Sequence, residues 1–138
     1  MKALVIDGST ALGFVLTDEQ FPDALKALQA TENGIPTFVP AHWSVEVANG
    51  LLMAERRKRV SQADVAEALS LLYGLPILID EETAQRSGRD TFAIARQYGL
   101  TIYDAAYLEL AMRRGAALAT NDRDLSKAAK AAGVAILP

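Results

Sequence analysis

Short, uninterrupted apolar runs set between stretches of helical periodicity constrain this chain more than any other feature. Ala3-Leu4-Val5-Ile6 contains no polar alternate and stops on Asp7. A run that is apolar at every position suits a strand covered on both faces, as in parallel sheets. The first strand is therefore expected over Lys2 to Asp7. Thr37-Phe38-Val39 and Ile77-Leu78-Ile79 read as further strands. Ala116-Ala117-Leu118-Ala119 has weak strand propensity, since alanine favours helix, and is placed by its flanking turns. Val134-Ala135-Ile136-Leu137 is expected to close the chain as a last short strand.

Helical patterns fill the intervals. Ala11 to Leu16 forms a short helix after a Gly8-Ser9-Thr10 turn, and a second runs from Pro22 to Asn33-Gly34. Pro40 opens the next, with Val45, Ala48, Leu51 and Leu52 at helical spacing. Ser61 caps a helix whose buried stripe is Val65, Ala68, Leu69 and Leu72. One helix is expected from Glu81 to Tyr98, ending on Gly99. Another spans Tyr103 to Arg114, and a last one Asp124 to Ala132. Alternating strands and helices point to a three-layer α/β/α sandwich with a mostly parallel sheet, in one domain over residues 1–138.

Composition narrows the function classes. With no cysteine, thiolate metal sites and disulfides are excluded. No apolar stretch reaches the roughly 18 residues of a membrane span, and Asp7 interrupts the N-terminal run too early for a signal peptide. A cytoplasmic protein is expected. Net charge is −3, so the chain is no general polyanion binder. GxGxxG, Walker A and GxSxG sequences are all absent, which argues against dinucleotide, P-loop and α/β-hydrolase sites.

The acids carry the chemistry. Ligands of an open parallel sheet bind beyond the carboxyl ends of its strands. Asp7 and Asp122 follow two such ends, Glu46 lies early in the helix after the second strand, and Asp104 opens its own helix. Gathered carboxylates repel one another, and hard divalent cations relieve that repulsion. Oxygen-only ligands suit Mg²⁺ or Mn²⁺, which activate water and stabilise phosphoryl charge. Helix N-termini at Ser9, Pro40 and Asp122 would add positive potential towards a phosphate. Taken singly, Asp7 has a turn role open to it, and Asp104 and Asp122 have capping roles.

Four stretches occur in order: Val5-Ile6-Asp7-Gly8-Ser9, Trp43-Ser44-Val45-Glu46-Val47-Ala48-Asn49, Tyr98-Gly99-Leu100-Thr101-Ile102-Tyr103-Asp104-Ala105-Ala106-Tyr107-Leu108, and Ala119-Thr120-Asn121-Asp122-Arg123-Asp124-Leu125. Over essentially the whole chain this resembles the PIN-domain ribonucleases, specifically the VapC-type toxins of prokaryotic type II toxin–antitoxin pairs. The resemblance implies a Mg²⁺- or Mn²⁺-dependent endoribonuclease with Asp7, Glu46, Asp104 and Asp122 as its acidic quartet. In that reading Asp7, Asp104 and Asp122 anchor metal and Glu46 positions the attacking water. Ser9 and Thr120 match hydroxyl positions that orient the acids, and Asp124 is an accessory acid or a helix cap. An RNA substrate, a homodimer and an inhibiting antitoxin are implied as partners.

Other residues have competing roles. Arg56-Arg57-Lys58-Arg59 is a dense basic run at a helix end, either solvated or in contact with RNA alongside Arg86, Arg89 and Arg96. His42, the sole histidine, is expected to tune a helix start, and Trp43, Tyr103 and Tyr107 to pack. The alternatives to a nuclease are a metal-dependent phosphatase, disfavoured by Ser9 where a second aspartate is usual, and a non-catalytic PIN-like binding module.

Overall fold

A computed structural model describes residues 1–137. Strands β1 (Leu4–Ile6), β2 (Thr37–Val39), β3 (Ile77–Ile79) and β4 (Ala117–Ala119) pair in parallel in the order β3-β2-β1-β4. Val5 stands opposite Phe38 on one side and Leu118 on the other. The connections hold α1 (Gly8–Val15), α2 (Pro22–Glu32), α3 (Trp43–Arg56), α4 (Gln62–Gly74), α5 (Thr83–Arg86), α6 (Asp90–Tyr98), α7 (Ile102–Arg114) and α8 (Arg123–Ala131).

The steps from β1 to β2 and from β2 to β3 move one way along the sheet, and the step from β3 to β4 returns across it. Right-handed crossovers then place α1 to α4 on one face and α5 to α7 on the other. The packing agrees. α7 lies against β1, β2 and β4 and gathers α6 and α8, whereas α2 lies against β1 and β4 and α1 touches α2, α3 and α4. This is the expected three-layer α/β/α sandwich. β1 and β4 are neighbours whose outgoing chains leave to opposite faces, so the crevice for a ligand lies at their carboxyl ends.

Central and edge strands differ sharply in burial. Leu4, Val5 and Ile6 are fully enclosed, but Leu78 and Ile79 on the edge strand are 51% and 55% exposed. An all-apolar run therefore reports burial on both faces for β1 and not for β3. Among the described residues no helix is long and apolar enough to cross a membrane.

Two expected elements are corrected. The helix over 81–98 is broken between α5 and α6. Ser87 Oγ donates to the carbonyls of Thr83 and Ala84 at 2.9 and 2.7 Å, Gly88 follows, and Arg89 leaves helical geometry with φ −123° and ψ −108°. A hydroxyl that competes for backbone carbonyls, next to a glycine, ends a helix at small cost. Val134 to Leu137 forms a single parallel bridge between Leu118 and Ile136 instead of a strand. Leu118 supplies both bonds, donating to Ala135 O and accepting from Leu137 N. Only Ile136 reaches ladder register with Leu118, three residues past the left-handed turn at Gly133 that follows α8.

Helix boundaries follow local chemistry. Ser61 and Asp64 form a reciprocal capping box at the start of α4. Thr101 caps α7, which puts Asp104 in its first turn. α3 begins at Trp43, one turn later than Pro40 suggests. Gly13 marks where α1 meets the next segment: a Cβ there would stand 2.9 Å from Ala24 Cβ and 3.2 Å from the Glu19 carbonyl. Neither neighbour is a flexible side-chain end. Gly13→Ala is expected to lower stability by about 1–2 kcal/mol, overpacking outweighing the gain in helix propensity, as read by the urea midpoint.

Candidate active site

Asp7 ends β1 and caps α1, so its position is set by both elements. Its carboxylate accepts from Ser9 Oγ at 2.8 Å and from the Thr10 amide at 2.9 Å, both on Oδ1. The Thr120 hydroxyl donates to Oδ2 across from β4. Thr10 in turn donates to the Ala119 carbonyl at 2.8 Å, and Thr120 Oγ1 accepts the Asp122 amide at 3.0 Å. These bonds lace the carboxyl ends of β1 and β4 together. Burial nevertheless raises the Asp7 pKa, against the lowering effect of the hydrogen bonds from Thr120, Thr10 and Ser9.

Glu46 reaches the same crevice from the first turn of α3. It packs over Gly8, where an added Cβ would meet Glu46 Cβ at 3.8 Å and Oε2 at 4.0 Å. The Tyr107 hydroxyl, on a side chain only 1% exposed, donates to Glu46 Oε1 at 3.0 Å. His42 Nε2 stands 3.1 Å from that same oxygen and 3.0 Å from the Tyr103 carbonyl. Both neighbours are acceptors, so Nε2 carries the proton. Burial pushes Glu46 up, but the bonds from His42 and Tyr107 outweigh it and hold the carboxyl below its ordinary value. Tyr107 is pushed the other way, by burial first and then by the Glu46 charge, and stays a protonated donor.

Asp104 and Asp122 complete the group. Asp122 caps α8, its Oδ1 accepting the amides of Asp124 and Leu125 at 2.8 and 3.0 Å. Asp104 has its pKa raised by burial and then by the charges of Asp122, Glu46 and Asp7. The fold thus brings all four acids into one electrostatic cluster at the β1–β4 crevice.

Among the described residues no three Asp, Glu or His side chains stand close enough to form a ready coordination sphere. The donor chemistry does fit a hard divalent cation. Hydrogen bonds to Glu46 and Asp122 go to Oε1 and Oδ1, leaving Oε2 and Oδ2 for another ligand, and Asp104 carries the repulsion a cation would relieve. The expected contribution from helix N-termini is smaller than their number suggests, because Asp7 and Asp122 already occupy first-turn amides of α1 and α8.

The PIN-domain profile matches residues 4–131, nearly the whole chain. The chain belongs to the PIN-domain family. It is 29% identical over 124 residues to Ribonuclease VapC3 of Pyrobaculum aerophilum, covering 90% of this chain and 92% of that protein. Among solved structures, PAE2754 of Pyrobaculum aerophilum superposes with a TM-score of 0.63 at 19% identity, covering 91% of this chain and 84% of that one. VapBC2 of Rickettsia felis bound to a DNA fragment from its promoter superposes at 0.64 and 12% identity, covering 97% and 96%. At these identities the structures establish the fold.

In this PIN domain the basic residues are unevenly committed. Arg59 donates to Asp18 at 2.9 and 2.7 Å and lies 3.4 Å from Glu19. Arg86 is held by Glu82 and Asp90, with Glu109 at 3.7 Å. Arg96 lies over the Phe92 ring at 4.9 Å. Arg56, Arg57 and Arg89 are exposed, with no ion pair among the described residues. Asp124 sits in the first turn of α8 and is exposed, where its charge favours the helix. Trp43 packs in the core.

Sequence reading passed over His42 and Tyr107 as site residues. The signals were present: His42 and Glu46 are spaced i, i+4, and Tyr107 follows Asp104 by three on one helix face. Neither residue type identifies the site without the fold that places α7 beside α3.

Proposed function

We propose that this chain is a Mg²⁺- or Mn²⁺-dependent endoribonuclease and the toxin of a toxin–antitoxin pair. The observation that carries this reading is the convergence of Asp7, Glu46, Asp104 and Asp122 on the switch-point crevice, with Asp104 under the like charge of the other three. The kinship to a ribonuclease named VapC3 supports RNA as substrate, and the VapBC structural neighbour supports an antitoxin partner. A homodimer in the cytoplasm belongs to the same proposal.

Asp7, Asp104 and Asp122 would hold the cation, with Ser9 and Thr120 fixing the Asp7 carboxylate and Glu46 standing beside them. A bound cation of this kind lowers the pKa of a coordinated water and neutralises developing phosphoryl charge. The protein supplies positioning. Glu46 stays ionised through His42 and Tyr107, so its Oε2 accepts a hydrogen bond from the attacking water and orients it in line with the leaving oxygen. The reaction is hydrolysis: water oxygen bonds to phosphorus, the bridging P–O bond breaks, and the leaving oxygen takes a proton.

The test incubates purified protein with structured cellular RNA in Mn²⁺, in Mg²⁺ and in EDTA, beside Asp104→Asn. Cleavage is expected with either metal and in neither EDTA nor the variant. Equal cleavage by a well-folded Asp104→Asn protein would sink the assignment. Tyr107→Phe removes one hydroxyl and leaves the packing. It is expected to slow metal-dependent cleavage by about 10- to 100-fold, the usual loss when a partner of a metal-site ligand is removed. Initial rates compared with melting temperatures check this, since a purely structural role would move only the latter.

A further inference from the structure

Beside the acidic cluster the fold encloses a second feature of opposite character. A cavity of about 270 Å³ lies between the start of α3, the α5–α6 pair and the first turns of α7. Ile102 and Ala106 form apolar wall, His42 and Tyr103 line the side towards the acids, and Ala84 lies at the exposed rim. The hydroxyls of Thr83 and Ser87 are turned to Asp80 and to backbone carbonyls, so the lining is apolar apart from Thr91, the His42 ring and the Tyr103 hydroxyl. Tyr103 is 65% exposed although it stands next to Asp104 in the chain. His42 joins the two regions directly, its Nε2 being 3.1 Å from Glu46 Oε1.

On the reading that the acids cut RNA, we infer that this cavity binds an unpaired nucleobase of the nucleotide beside the scissile phosphate. No Lys or Arg lines the cavity and His42 Nε2 is committed to Glu46 and the Tyr103 carbonyl, so the lining does not suit a phosphate. The uncharged part of a nucleotide next to a phosphate is its base and sugar. Single-stranded RNA is recognised by splaying out a base and stacking it on an aromatic ring, and an exposed tyrosine at the rim of an apolar hollow supplies both surfaces. A base held in a duplex cannot enter. The PIN domain would therefore cut loops, bulges or ends in preference to paired stems, and Tyr103 is a binding residue for substrate.

The experiment measures binding of a fluorescein-labelled 12-nucleotide RNA, single-stranded or annealed to its complement, by anisotropy in Mn²⁺. The parent is Asp104→Asn, so that RNA stays intact. Adding Tyr103→Ala is expected to weaken single-strand binding about tenfold, with duplex binding unchanged and Tyr103→Phe close to the parent. Ala84→Phe, which fills the cavity from its exposed rim without touching an acid, is expected to do the same. Unchanged single-strand binding in both Tyr103→Ala and Ala84→Phe overturns the base site. Equal losses on single strand and duplex overturn it too, because they mean a backbone contact. If wild type also fails to cleave RNA in any metal, the nuclease reading falls first. Cleavage with no Tyr103 effect removes the base site alone.

Discussion

Replacing Asp104 by Asn is expected to stabilise the metal-free protein while destroying its reaction. The Asp104 pKa is raised by burial and by Asp122, Glu46 and Asp7, so its ionised form is less favoured in the folded chain than in the unfolded one. A carboxyl whose folded pKa is raised destabilises the fold increasingly as pH rises above its unfolded value of about 4. The neutral amide removes the repulsion and keeps the shape. Melting in EDTA should therefore occur at a higher temperature in Asp104→Asn than in wild type. Wild type should gain about 2.7 kcal/mol when Mn²⁺ is present at a hundred times its dissociation constant, and the variant little of it. Cleavage should fall by at least ~10³-fold, the scale seen when a member of a cooperating catalytic set is removed. A variant that is less stable than wild type without metal would show that Asp104 is a structural residue.

The second large effect concerns Arg113, at the opposite end of α7 from Asp104. Its guanidinium grips Asp80 with two parallel bonds of 2.9 and 2.8 Å, donates to Glu109 at 2.9 Å and reaches Glu82 at 3.2 Å. Asp80 and Glu109 are each only 4% exposed. Arg113→Ala leaves buried Asp80 with no cation and buried Glu109 with only Arg86 at 3.7 Å, a loss of about 3–5 kcal/mol. That corresponds to a melting temperature lower by roughly 10 °C for a domain of this size. Arg113→Lys keeps the charge but not the fork and should fall between.

The pH dependence gives an independent check. Burial pushes Asp80 up, but the bonds from Arg113, Thr83 and the Glu82 backbone outweigh it and hold the carboxyl below its usual value. Its stabilising contribution is thus complete above the unfolded carboxylate pKa, near 4, and is lost as pH falls through the folded value. In Arg113→Ala buried Asp80 lacks its cation, so acidification relieves it. The gap in stability between wild type and Arg113→Ala should narrow from pH 7 towards pH 4. A constant gap would mean that packing of the arginine stem, rather than charge, accounts for the loss.

Tyr107 and Arg113 lie on one helix and explain how the site is held. The Arg113 network ties the end of α7 to the end of β3 through Asp80, while Tyr107 and Asp104 reach the acids from the other end. α7 spans the sheet against β1, β2 and β4, so its register sets where Asp104 stands relative to Asp7. Weakening the Arg113 network is therefore a way to disturb the site from a distance.

What the sequence determined by itself was chiefly local. Ala3 to Ile6 reads as a strand from its own residues, being apolar at every position and stopped by Asp7. Ser61 with Asp64, and Thr101 ahead of Asp104, are caps whose bonds close within three residues, so the chain nearby suffices to specify them. The acidic residues were legible because their types and order are chemical facts, and their places at strand ends follow from alternating elements. What only the tertiary structure decided was every contact between distant segments. The order β3-β2-β1-β4, and with it the crevice between β1 and β4, depends on pairings far apart in the chain. Asp80 directly follows β3, and Arg113, 33 positions later, makes its burial possible. Ile77 to Ile79 is as apolar as β1, yet edge position leaves it half exposed. His42 and Tyr107 become partners of Glu46 because α3 and α7 meet at the crevice. Local chemistry can specify which groups a segment offers, but long-range packing decides which of them share a site and which charges lose water.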